Sequence, residues 1–362
     1  MKIGIITFHR AKNMGAMLQA YALQSVLNER IGNCEIIDYR NEDLEDNYRL
    51  KKVSEVAGLK AKIKLLIMRR KNINFENVRN DFISKYLKLS KTIYNKENIS
   101  LSNSEYNQFV TGSDQVWNTK LNYDDMNYFL NFVDDNKKKN SYAASIGTSE
   151  LSRDLKSLIR NQLKNFNNIS VREIEGKKIL DSILPNKDVK VVLDPTLLLT
   201  IDKWDAITDE SIKNKGNYIF VYVVADTPYL ISFARKLAKN NNCKIVYFSN
   251  GYKKYPGVIN LNKLSPNEFL GYIKYAKYVL TSSFHGFCFS VLYNKDFYYE
   301  LDMRKNNNNS RLNTLASLLN LKDRELIDGS AKNYDMIDYD SVEILLNKLR
   351  EESYKYIDLL KE

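Results

Sequence analysis

The chain contains two histidines, His9 and His285, so any imidazole chemistry near neutral pH rests on one or both of them. His285 stands between two apolar runs, Tyr278 to Thr281 and Gly286 to Tyr293, joined through Ser282, Ser283 and Phe284. The pattern predicts a strand over Tyr278–Thr281 that turns into a helix from His285 to Tyr293. In open α/β sheets, ligands bind at the carboxyl ends of strands, beside the N-termini of the helices that follow. Free backbone N–H groups at Gly286 would there face an anion, with His285 placed to move a proton. A second cluster is Thr111-Gly112-Ser113-Asp114-Gln115-Val116-Trp117-Asn118. Gly112 admits close approach of a backbone. Asp114 and Gln115 offer hydrogen bonds to hydroxyls, and Trp117, one of two tryptophans, offers a flat apolar face to a sugar ring. The same residues also fit an Asx-type turn capping a helix. Arg172 follows the apolar run Ile169 to Val171 and precedes a helical stretch, a place that suits a carboxylate or phosphate. A surface ion pair with Glu173 or Glu175 is the plainer role for it. His9 ends the first apolar run in the same way, as an acid or base or as a packing residue.

These residues need elements to hold them. Lys2 to Phe8 reads as a strand, His9 to Ala16 as a polar turn with Gly15, Met17 to Glu29 as a helix and Cys34 to Asp38 as a second strand. Asp38 sits where dinucleotide folds bind ribose, but GxGxxG is absent, and Asp38 reads as a strand-end surface residue. Helices follow over Phe75 to Tyr86, Leu151 to Phe166 and Glu173 to Ile183. Strands follow over Asn140 to Ile146 and Val189 to Leu193, the last closed by Asp194-Pro195. A second α/β series then begins. Its strands are Tyr218 to Val224, Cys243 to Phe248, Tyr278 to Thr281 and Asp296 to Tyr299. Its helices are Pro228 to Lys239, one opened by the capping box Ser265-Pro266-Asn267-Glu268, His285 to Tyr293 and Ser310 to Leu319. A helix over Ser341 to Leu360 ends the chain. The expected division is an α/β domain over 1–195, a second over 196–340, and a C-terminal helix over 341–362 that packs back on the first.

The net charge of +11 is spread along 362 residues, with eight basic side chains concentrated at 51–71 among apolar residues at helical spacing. That stretch fits a basic amphipathic helix on an anionic membrane, or more plainly a helix packed on its domain with its lysines in water. No nucleic-acid motif accompanies the charge, so no nucleic-acid partner is expected. Cys34, Cys243 and Cys288 are far apart and form no CxxC pair, which argues against structural zinc and for a reducing compartment. The N-terminal apolar run is too short for a signal peptide and no run reaches about 18 apolar residues, so a cytoplasmic protein is expected.

The segments TFHRAKNMGAMLQAYALQ (from Thr7), TGSDQVWN, SVRE, VLDPTLLL, SSFHGFCFSVL and SRLNTLASLL together resemble the polysaccharide pyruvyl transferase family, in order and over nearly the whole chain. The resemblance implies two Rossmann-like domains facing across a cleft, as in GT-B glycosyltransferases. It implies transfer of a pyruvyl group from phosphoenolpyruvate to a sugar of a surface glycan or its lipid-linked precursor, giving a cyclic ketal. It places the donor at Arg172, Ser283, Phe284 and His285, where the helix N-terminus at Gly286 would be a second anchor. Members often carry arginine where this chain has Ser283, and Arg311 or Arg10 is the expected substitute cation. With His285 as catalytic acid and Asp114 as base, the acceptor side is expected at His9, Asn13, Gly15, Ser113, Gln115 and Trp117. The chemistry requires no redox cofactor and no metal. Two alternatives are a GT-B glycosyltransferase using a nucleotide sugar, with Glu300 on the ribose, and a catalytically silent glycan-binding member.

Overall fold

The computed structural model describes residues 1–11, 13–44, 58, 75–148, 150–225, 227–249, 251, 253–303 and 309–361. The basic stretch 51–71, expected to be helical, lies outside the described residues except at Gly58.

The chain folds as two Rossmann-like α/β domains. The first sheet has seven strands: β1 (Ile3–Ile6), β2 (Cys34–Tyr39), β3 (Leu89–Tyr94), β4 (Gln108–Asp114), β5 (Lys139–Ala144), β6 (Ile169–Val171) and β7 (Val189–Val191). Its order is β3-β2-β1-β4-β5-β6-β7, all parallel. Helices α1 (Met14–Arg30), α2 (75–86), α3 (Arg153–Leu163) and α4 (Ile174–Ile183) are interleaved with it. The second sheet holds β8 (Tyr218–Val223), β9 (Lys244–Ser249), β10 (Ile259–Asn260), β11 (Tyr278–Thr281) and β12 (Asp296–Tyr299) in the parallel order β10-β9-β8-β11-β12. Its helices are α5 (Leu230–Asn241), α6 (Pro266–Lys274), α7 (Phe284–Leu292) and α8 (Ser310–Leu318). β1 is buried at every position, as a central strand covered on both faces must be. The strand order reverses between β1 and β4 and again between β8 and β11, and at such points adjacent crossovers diverge and leave a crevice.

Helix starts are set by caps. Asn13 Oδ1 accepts from the Gly15 N–H at 2.8 Å, which starts α1 three residues before the apolar spacing predicts. The capping box of α6 forms in full, Ser265 Oγ accepting from Glu268 N at 3.0 Å while Glu268 accepts from Ser265 N at 2.8 Å. One apolar core joins the domains. Fully buried Trp204, on the connector, meets Tyr21 of α1 at 5.7 Å and Phe289 of α7 at 4.8 Å. The last helix, α9 (Tyr339–Leu359), lies against the first domain. Tyr356 donates to Ser141 O at 2.8 Å, Ser353 Oγ accepts from Leu193 N at 3.0 Å, and Arg30 pairs with Asp358 at 2.6 Å. Asp38 is not a surface residue. It is buried under the guanidiniums of Arg10 and Arg40, each bidentate at 2.8–3.1 Å, with His9 Nε2 at 3.2 Å, because a carboxylate withdrawn from water needs such partners.

Candidate functional site

Both reversal points open on one cleft of about 410 Å³. The first domain contributes Asn13 at the start of α1, and Asp114 and Gln115 at the carboxyl end of β4. The second contributes Val224 after β8, Ser282, Ser283 and His285 after β11, and Arg311 at the start of α8. Asp114 turns into the cleft at φ 72°, a left-handed conformation that a side-chain-bearing residue keeps only when its surroundings fix it. Gly112 makes the bend: at φ 117°, any Cβ there would stand 2.2 Å from Tyr142 O.

Beneath the cleft lies a charged array built around Phe284. Arg172 is buried and donates to Asp194 at 2.6 Å and to Asp114 at 3.2 Å. The guanidiniums of Arg172 and Arg311 both lie over the Phe284 ring, at 4.7 and 5.8 Å. Arg311 Nη1 is 4.0 Å from Asp114, and its Nε has no hydrogen-bond partner. Burial, reinforced by the like charge of Arg172, lowers the Arg311 guanidinium to about 10. Asp194 accepts from Thr196 N and Oγ1 at 3.0 and 2.7 Å, and from Ser113 Oγ at 3.2 Å. Burial pushes its carboxyl up, but His285, Arg172 and the Thr196 hydroxyl together outweigh that and hold it well below the usual carboxylate range. Glu173 shows the opposite balance. Burial raises it despite Arg172 and Arg311; one carboxyl oxygen takes Ser145 Oγ at 2.8 Å and Ile146 N at 3.1 Å, and the other has no partner. His285 Nε2 stands 3.6 Å from Asp194 Oδ2, close enough for charge to act and too far for a direct hydrogen bond. Its other nitrogen rests on α1: a Cβ on Gly15 would lie 1.9 Å from Nδ1, so only glycine fits beneath the ring.

The sequence model of the polysaccharide pyruvyl transferase family matches residues 13–299. The chain belongs to that family. No curated protein matches the chain. Among solved structures it is similar to a putative UDP-N-acetylglucosamine 2-epimerase from Listeria monocytogenes, at 10% identity and a TM-score of 0.46, covering 100% of this chain and 90% of that one. It is also similar to E. coli heptosyltransferase WaaC with ADP, at 8% identity and a TM-score of 0.39, covering 98% of this chain and 100% of that one.

Within this pyruvyl transferase fold, the residues singled out from the sequence divide. His285, Ser283, Phe284, Arg311, Asp114, Asn13 and Gln115 line the cleft. Arg172 does not line it; it sits behind Phe284, paired with two aspartates rather than with Glu173 or Glu175 at the surface. Trp117 is no sugar platform. It is fully buried, stacked on Phe129 at 5.8 Å and bonded to Tyr128 O, because its apolar neighbours fold the indole inward. Ser113 is buried against Ala143 O and Asp194, and serves the array rather than an acceptor. His9 is fixed between Thr7 O and Asp38, and Arg10 is spent on Asp38, so neither reaches the cleft. Gly15 supports the imidazole. The Gly286 N–H is taken by Ser283 Oγ at 3.3 Å, and a Cβ there would meet Thr281 Oγ1 at 2.3 Å, so this glycine seats α7 on β11 and offers no anion its N–H. Glu300 accepts from Tyr229 N and Leu230 N at the start of α5 and is withdrawn from any ribose. Asp194 reads in the sequence as a strand terminator, yet it anchors the array. An acid placed between Val191-Val192-Leu193 and Leu197-Leu198-Leu199 was the available signal, since a carboxylate inside an apolar run must be paired. Among the described residues no group of three or more His, Cys, Asp or Glu is arranged to hold a metal ion.

Proposed function

We propose that this protein transfers a pyruvyl group from phosphoenolpyruvate to two hydroxyls of one sugar residue, forming a cyclic ketal and releasing phosphate. The observation that carries this reading is the meeting, in one cleft, of an imidazole and a half-buried guanidinium from one domain with a carboxylate from the other. His285 delivers a proton to the donor methylene carbon, with Asp194 as counter-charge to the imidazolium. Arg311 neutralises the anionic donor, and Arg172 holds Asp114 and Asp194 in register from behind. One sugar hydroxyl adds to the cationic carbon, the carbon–oxygen bond to phosphate breaks, and the second hydroxyl closes the ring. Of the two hydroxyl protons, one passes through Asp114 to the leaving phosphate and one restores His285. The acceptor is a glycan or its lipid-linked precursor, and no metal or redox cofactor takes part.

Calorimetric titration with phosphoenolpyruvate tests the donor. Wild type binds it, Arg311→Ala loses at least tenfold in affinity, and His285→Ala binds it but releases no phosphate in the presence of acceptor, a fall of at least ~10² in rate. Full turnover by His285→Ala would remove the acid from this scheme. Binding of nucleotide diphosphate sugars with none of phosphoenolpyruvate would replace the scheme by glycosyl transfer.

A further inference from the structure

The cleft has two unlike walls. Beside the charged groups runs an apolar strip from the first domain, made of Phe8, Ala11, Leu44, Leu121 and Tyr123. Tyr123 and Leu121 remain 38% and 42% exposed, and among the described residues Tyr123 is the one tyrosine lining this cleft. With Trp117 folded into the core, the flat ring offered to the cleft comes from six residues further on.

The loop that presents it is built under constraint. Tyr123 and Asp124 are consecutive non-glycine residues at φ 56° and 55°, a conformation that costs free energy at each position. Buried polar bonds enforce it from both sides. Ahead of it, Asn118 caps the turn Thr119–Asn122, and buried Asn122 donates to Val116 O at 2.8 Å. Behind it, Asp125 accepts from Tyr39 at 2.6 Å and from Asn41 at 3.1 Å, while Asn127 donates to Tyr39 Oη at 2.7 Å. A ring held at a cleft mouth by an over-determined, strained loop is preorganised for a flat apolar partner. A pyranose fits this place, because one face of the ring presents C–H groups while its rim presents hydroxyls. The C–H face packs on an aromatic ring, and the rim reaches the carboxylate and amide of Asp114 and Gln115 in the same cleft. The geometry points to Tyr123 as the stacking platform for the acceptor pyranose, with Leu121 extending the apolar surface. This assignment rests on the pyruvyl-transfer reading for the word acceptor, and on the cleft alone for the sugar.

The test is saturation-transfer NMR of the full chain with methyl pyranosides of glucose, galactose, mannose and N-acetylglucosamine, alongside phosphoenolpyruvate titration of the same samples. Wild type transfers saturation to the ring C–H protons of at least one glycoside. Tyr123→Asn removes the ring yet keeps a residue that tolerates the left-handed conformation, and it lowers affinity for that glycoside about tenfold. Tyr123→Phe and Tyr123→Trp retain it, and phosphoenolpyruvate binding is the same in all four proteins. Equal glycoside affinity in Tyr123→Asn and wild type overturns the platform. So does the absence of any glycoside signal in wild type, or a loss of phosphoenolpyruvate affinity in Tyr123→Asn. Glycoside binding that depends on Tyr123 without any phosphoenolpyruvate binding upholds the platform and sinks the donor assignment instead.

Discussion

Gly15 and Glu173 carry the sharpest consequences for single residues. A methyl group on Gly15 would stand 1.9 Å from His285 Nδ1, so Gly15→Ala must displace the imidazole or the start of α1. Overpacking of this kind costs about 1–3 kcal/mol. Urea denaturation should report that loss, and transfer activity should fall by more than the folded fraction does, because the ring leaves its position. Glu173 gives a pH dependence of known sign. Its folded-state pKa lies above the unfolded value of about 4.3, so the native state keeps this proton to higher pH than the unfolded chain does. Stability from this group therefore declines as pH rises from about 4.3 through the folded value. Glu173→Gln keeps an oxygen to accept from Ser145 and Ile146 and removes the charge. Its stability relative to wild type should rise between pH 4.5 and pH 8 in urea titrations, and a constant difference would refute the assignment. Asp194 works in the opposite window. Its contribution is present above the unfolded value of about 3.9 and is lost as pH falls below that.

Helix ends show what a sequence can and cannot disclose about elements. The capping box at Ser265 and the boundaries of β11 and β12 were legible, because local side chains determine them. β3 and β10 are not legible in the sequence. The first carries the exposed Ile93 and polar neighbours at a sheet edge, and the second is two residues long, so neither shows the apolar run of a buried strand. Glu300 was legible only as an acid at a strand end. Its true partner, the N-terminus of α5, lies some seventy residues earlier and is reached through the fold alone. Glu300→Ala should leave the Tyr229 and Leu230 N–H groups without their carboxylate and cost about 1–3 kcal/mol in chemical denaturation. Phosphoenolpyruvate affinity should not change, which separates a capping role from a ligand-binding one.

At the scale of the molecule, the two sheets repeat one strand order and direct their reversal points at the same cleft. The family segments made this legible, since each falls on an element that borders the cleft or its supports. They could not reveal which side chains face inward: Trp117 and Tyr123 are separated by one short turn, and only packing sends the first into the core and leaves the second exposed. The helix α9 closes the first domain with Ser353, whose hydroxyl accepts from Leu193 N. Ser353→Ala strands that buried N–H and should lower the denaturation free energy by about 1–3 kcal/mol, while glycoside and phosphoenolpyruvate affinities remain near wild type.

Asp194 both starts the connector between the two sheets and anchors the charged array. In a hinged body, displacement grows with distance from the pivot. Any turning of the second domain about this connector therefore moves His285, 3.6 Å from Asp194, through a short arc, while the outer walls of the cleft sweep a long one. The separation of the imidazole from the Asp194 carboxylate is thus the spacing least altered by such a turning, and that of the outer cleft walls the most altered.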